Sequence, residues 1–101
     1  MPVTFLERER TLSASLSGEV DHHAAREIMS ELMERIDAAL PQSLTIDLAG
    51  VTFMDSSGIA VLLRAYRRMA ELEGVVTVTH VPAQAGKVLA AAGLDRLMQF
   101  Q

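Results

Sequence analysis

The chain has 101 residues, half of them hydrophobic but only 4% aromatic, with a formal net charge of −4 and no cysteine. That size gives one domain with one core, built from Leu, Ile, Val, Ala and six Met, and it excludes disulfides and thiolate metal sites. The acidic balance argues against direct nucleic-acid binding, and no apolar run approaches the roughly 20 residues that membrane insertion needs.

The opening MPVTFLERER lacks the apolar stretch of a signal peptide, and the absence of Cys suits a reducing, cytoplasmic setting. Val3 to Glu7 and Leu12 to Val20 alternate like half-buried strands, joined by the charged ERER into a hairpin. In the second strand Leu12, Ala14, Leu16 and Gly18 are expected on the core side, and Ser13, Ser15 and Ser17 towards solvent. Asp21 offers a helix N-cap, and from Ala24 the residues Ala25, Ile28, Leu32, Ile36 and Leu40 recur at helical steps. Arg26, Glu27, Glu31, Glu34 and Arg35 take the opposite face, and Pro41 ends the helix.

Leu44 to Val51 has the composition of a short strand, with Ile46 and Leu48 facing together. A second amphipathic helix is predicted over Ser57 to Leu72, with Ile59, Leu62, Leu63, Tyr66, Met69 and Leu72 as its buried stripe. Arg64, Arg67 and Arg68 read as a solvated face of it. Gly74 stops this helix, and Val75 to Val81 is a β-branched strand. Pro82 opens a third helix, which Gly93 closes with Leu94 packing back on its last turn. Leu97 to Phe100 forms a last short strand. The fold class is therefore α/β: a mixed sheet of four to five strands with about three helices packed mainly on one face.

The element order fixes where the chemistry-bearing residues meet. The helix between the second and third strands exceeds the dozen or so residues of a parallel crossover. Crossovers of this kind are right-handed and bring the carboxyl ends of both strands to one sheet edge. GEVDHH (Gly18 to His23) and FMDSSG (Phe53 to Gly58) leave those ends, so Asp21, His22, Asp55, Ser56 and Ser57 gather on one surface. Ser56 and Ser57 open a helix, where free N–H groups favour an anion. One serine can cap while the other keeps a free hydroxyl. A phosphate there adds a charge of roughly −1.5 to −2, which Asp55 and Asp21 repel.

The local pattern by itself favours a plain helix cap, because Ser, Asp and Gly are ordinary helix-start residues. Nucleophilic catalysis fits worse: Met54 and Asp55 stand where a G-x-S-x-G elbow needs other residues, and the only candidate bases are His22, His23 and His80. A metal site from Asp21, His22, His23 and Asp55 is disfavoured because adjacent histidines at a helix start point apart.

The two edge motifs carry a resemblance. LSGEVDHHAA (Leu16 to Ala25), LTIDLAGVTFMDSSGIAVLLRAYRRM (Leu44 to Met69) and EGVVTVTHVPAQAGKVLAAAGL (Glu73 to Leu94) together resemble the bacterial anti-sigma factor antagonists of the STAS domain family. The pairing of G-E-hydrophobic-D with D-S-S-G is the specific part. The resemblance implies a single STAS domain over residues 1–101 that is a substrate, not an enzyme, and needs no cofactor. It implies that the unmodified protein binds an anti-sigma factor serine kinase and thereby frees a sigma factor. Phosphorylation falls on Ser56, directly after the motif aspartate, which leaves Ser57 as the expected helix cap, and a PPM/PP2C-type phosphatase reverses the modification. Asp21, His22, Asp55, Ser57, Gly58 and Ile59 then form the partner surface. The alternative implied by the same family is a non-enzymatic STAS subunit of a lipid-transport ABC system or scaffold assembly. Two departures stand out. Family members commonly continue into another amphipathic helix where this chain ends at RLMQFQ, and Ile59-Ala60 replaces the frequent Leu-Gly, a conservative change.

Overall fold

The computed structural model describes residues 2–101. Strand β1 (Val3–Arg8) returns as β2 (Thr11–Val20) through Glu9-Arg10. Both loop residues have positive φ, +48° and +67°. Such a pair of left-handed residues gives a two-residue turn the twist a hairpin needs, without the glycine or asparagine that usually adopts it. Helix α1 (His22–Ala39) crosses to β3 (Ser43–Met54), α2 (Ser56–Glu71) to β4 (Val75–Thr79), and α3 (Ala83–Ala91) with the short α4 (Leu94–Leu97) to β5 (Gln99–Phe100). The five strands lie in the order β1-β2-β3-β4-β5, antiparallel between β1 and β2 and parallel elsewhere.

Alternation decides the layers. Leu12, Ala14 and Leu16 of β2, Leu44, Ile46 and Leu48 of β3, and Val78 of β4 are almost completely buried. Each of the Leu, Ile and Val side chains contributes about 1.5–3 kcal/mol of transfer free energy on folding. Ile28, Leu32 and Ile36 of α1, Val61, Leu62, Ala65 and Met69 of α2, and Leu89 of α3 complete the same core. On the opposite sheet face Ser13, Thr45, Asp47, Thr77 and Thr79 are half-buried, while Thr4, Ser15 and Ser17 are exposed. The serines of β2 therefore face out as their alternation predicts, and the helices cover one face. Arg68 ties α2 to α1 by a 2.7 Å bond to Asp37, with Glu71 at 3.1 Å. Those hydrogen bonds, Asp37's first, raise the Arg68 pKa above its usual value.

Several expectations need correction. Strand β3 runs on to Met54 rather than ending at Val51, with two register shifts against β2. Ser15 pairs with Asp47 but Ser17 with Gly50, and Gly18 pairs with Val51 but Glu19 with Phe53. Each shift places an extra residue in β3, so burial steps from Leu48 to Val51 to Met54 by threes. Gly18 is exposed, with φ +79°, and does not share the core side with Leu16. Leu40 is 51% exposed because it adopts the left-handed cap conformation that ends α1. In α2 the fully buried stripe includes Gly58, Val61 and Ala65, while Ile59, Leu63, Tyr66 and Leu72 are only half-buried. Small residues let the helix sit close to the sheet, a preference that counting large apolar residues does not detect. Strand β4 stops at Thr79, since His80 takes φ +54°. Leu97 belongs to α4, a fourth helix, rather than to the last strand.

Candidate functional site

The parallel β2–β3 pair brings Val20 opposite Met54, so the next residues, Asp21 and Asp55, leave the sheet side by side. The Asp55 N–H donates to Val20 O at 3.2 Å, joining the two strand ends. Each aspartate caps the helix that follows. Asp21 accepts from Ala24 N–H at 2.9 Å, and Asp55 accepts from Ser57 N–H at 2.8 Å. Extended backbone at both caps (ψ −175° and −170°) turns the chain from strand to helix. The expectation that Ser57 is the cap is thus corrected: a carboxylate takes that position, and it complements the positive end of the helix better than a neutral hydroxyl does.

Consequently both serines are free of capping. Ser56 is the first residue of α2 and is exposed, and among the described residues no side-chain hydrogen bond engages its hydroxyl. Ser57 is half-buried and turns into an open groove of about 360 Å³ between the first turns of α1 and α2. His22, Arg26, Met29 and Ala60 also line that groove, which offers an apolar floor under a basic rim. His22 is exposed, as expected of a surface residue. Gly58 is buried: a Cβ there would lie 2.5 Å from Met54 Cγ and 2.6 Å from its sulfur, so the helix start rests directly on Met54. Ile59 is half-buried against the core. Phe53, next to the turn, is 42% exposed.

One contact has no signal in the sequence. Gln84 at the start of α3 accepts from Met54 N–H and donates to Met54 C=O, both at 2.8 Å. A glutamine thirty residues away, in a helix of its own, carries no motif that points to this pairing. Among the described residues no group of three or more His, Cys, Asp or Glu side chains is arranged to hold a metal ion, and no helix is long and apolar enough to cross a membrane.

The fold and this edge define a class: a small mixed α/β domain with two Asp-capped helices side by side and an exposed serine on one of them. The chain belongs to the STAS domain family, among its anti-sigma factor antagonists. The family model described as Mlab, STAS domain, matches residues 4–99. The chain is 31% identical over 87 residues to an anti-sigma F factor antagonist of Paenibacillus polymyxa, covering 86% of this chain and 74% of that one. Among solved structures it is similar to the anti-sigma factor antagonist SpoIIAA in its unphosphorylated form. That match has a TM-score of 0.86 and 25% identity, and spans 98% of this chain and 87% of the other. The Bacillus cell fate determinant SpoIIAA in the phosphorylated form matches with a TM-score of 0.77 at 25% identity, over 98% of this chain and 90% of that one.

Proposed function

We propose that this chain is an anti-sigma factor antagonist, acting in the cytoplasm, whose binding is switched off by phosphorylation of Ser56. In its unmodified form it binds an anti-sigma factor that is also a serine kinase, and the sigma factor is released. The Ser56 oxygen attacks the γ-phosphorus of ATP, the bond to ADP breaks, and the serine proton passes to the kinase. A PPM/PP2C-type phosphatase hydrolyses the phosphoserine and restores binding. The chain is a substrate throughout, catalyses nothing and uses no cofactor.

The observation that carries this reading is that Asp55, not a serine, caps α2. Ser56 is therefore not needed to cap the helix and presents an exposed hydroxyl beside Asp21 and Asp55. A phosphate on the exposed first residue of α2 leaves the Asp55 cap and the helix in place, while its charge of about −1.5 to −2 opposes any partner fitted to the unmodified surface. The groove of His22, Arg26, Met29 and Ala60 lies beside it and supplies the apolar contact. The test is incubation with an anti-sigma F factor and Mg-ATP, followed by intact mass and site mapping. One phosphate on Ser56, absent from Ser56→Ala, is expected; phosphate on Ser57 reassigns the site, and none on either serine overturns the reading.

The matching family model is described by the STAS domain and not by the antagonist role, which leaves support for the other role that the family resemblance implies, a non-enzymatic STAS subunit of a lipid-transport assembly. There the same edge docks an ATPase subunit and Ser56 is never modified. Recovery of a transporter ATPase with the purified chain, together with no phosphorylation, selects it.

A further inference from the structure

We propose that Gln84 is a positioning residue for Ser56, its carboxamide standing in for a neighbouring strand at the last residue before the switch turn. The proposal rests on Ser56 being the phosphoacceptor and assigns how that serine is held.

The geometry follows from the sheet. Strand β4 pairs with β3 only as far as Thr79 opposite Asp47, yet β3 continues to Met54. Beyond Asp47 the side of β3 facing away from β2 has no strand to pair with. In a parallel ladder the N–H and C=O of one residue point to the same neighbour, and those of the residues beside it point the other way. Asp55 N–H points to β2 and is taken by Val20 O. Met54 N–H and C=O point the opposite way, and Gln84 takes both. Met54 offers one donor and one acceptor, so the carboxamide orientation is fixed by its partners.

The peptide that leads into Asp55-Ser56 is thus gripped from both sides, by β2 through Val20 and by α3 through Gln84. The Met54 side chain is also wedged under Gly58. Phosphoryl transfer depends on holding the acceptor oxygen in line, and small misplacements are costly in rate. Gln84 touches neither ATP nor the serine, so its effect belongs in kcat rather than in docking.

The test compares the full chain with Gln84→Leu, which removes both bonds, and Gln84→Glu, which keeps the acceptor for Met54 N–H but cannot donate to its carbonyl. Amide exchange of Met54, followed by NMR, reads the clamp without any kinase. Protection is expected to fall roughly ten-fold or more in Gln84→Leu and less in Gln84→Glu. With an anti-sigma F factor and Mg-ATP, kcat for Ser56 is expected to fall about ten-fold in Gln84→Leu at unchanged KM, with Gln84→Glu between. Unchanged exchange overturns the clamp, and increased exchange with unchanged kcat overturns its positioning role. A change in KM alone assigns Gln84 to docking and overturns it too. If wild type takes no phosphate, the Ser56 reading fails and positioning of a phosphoacceptor falls with it, while Met54 exchange still decides the clamp. Should Gln84→Leu not fold, Gln84→Glu decides by the same readouts.

Discussion

Substituting Gly58 by Ala tests whether the start of α2 is seated on Met54 as tightly as the geometry requires. An added Cβ would lie 2.5 Å from Met54 Cγ, 2.6 Å from Sδ and 3.0 Å from Cε. Carbon contacts prefer about 3.5–4.0 Å, so the methionine must withdraw by about 1 Å. Its side chain is fully buried and its backbone is held by Gln84, which leaves torsional rearrangement as the main escape. Overpacking of this kind costs about 1–3 kcal/mol, and Ala over Gly in a helix returns up to about 1 kcal/mol. A net loss of about 1 kcal/mol is expected, which lowers Tm by about 4–8 °C in a domain of this size. Urea unfolding of a double-mutant cycle with Met54→Ala isolates the contact. Met54→Ala alone costs about 2–5 kcal/mol, and in that background Gly58→Ala becomes neutral or stabilising, a coupling of about 1–3 kcal/mol. Additivity within about 0.5 kcal/mol refutes the seating.

Asp55→Ala removes the α2 cap and costs about 1 kcal/mol by chemical denaturation, whereas Ser56→Ala leaves the midpoint unchanged; equal losses would show that Ser56 is needed for capping after all. Ile46→Ala, in the centre of β3, costs about 2–5 kcal/mol in the same assay. Replacing Glu9-Arg10 by Asn-Gly raises stability by about 1–2 kcal/mol, because both positions have positive φ; a lower Tm contradicts the two-residue turn.

The sequence carries the fold wherever a period is clean. Ile28, Leu32 and Ile36 at helical steps, and Leu12, Ala14 and Leu16 at strand steps, name core residues that are buried. The crossover rule places Asp21 beside Asp55 before any coordinates, and the parallel pairing of Val20 with Met54 bears that out. Reading fails where the period changes within an element. The two extra residues in β3 shift burial from steps of two to steps of three, so Val51 faces the core while Gly50 and Thr52 are exposed, the reverse of what alternation from Leu48 predicts. It also fails where backbone conformation overrides side-chain character, as at Leu40, exposed at the left-handed end of α1. At the site, Asp and Ser compete for one capping role, and composition does not rank them; the bond from Ser57 N–H to Asp55 does. Gln84 is legible only in three dimensions, because its partner is backbone and backbone has no sequence signature.

The central claim is that a single phosphate on Ser56 separates a binding from a non-binding form of the same fold. Calorimetric titration of the unphosphorylated and the singly phosphorylated chain into an anti-sigma F factor measures it directly. The account predicts affinity weakened by about 100-fold or more on phosphorylation, roughly 2.7 kcal/mol, with unchanged far-ultraviolet circular dichroism. Equal affinities for the two forms would contradict it.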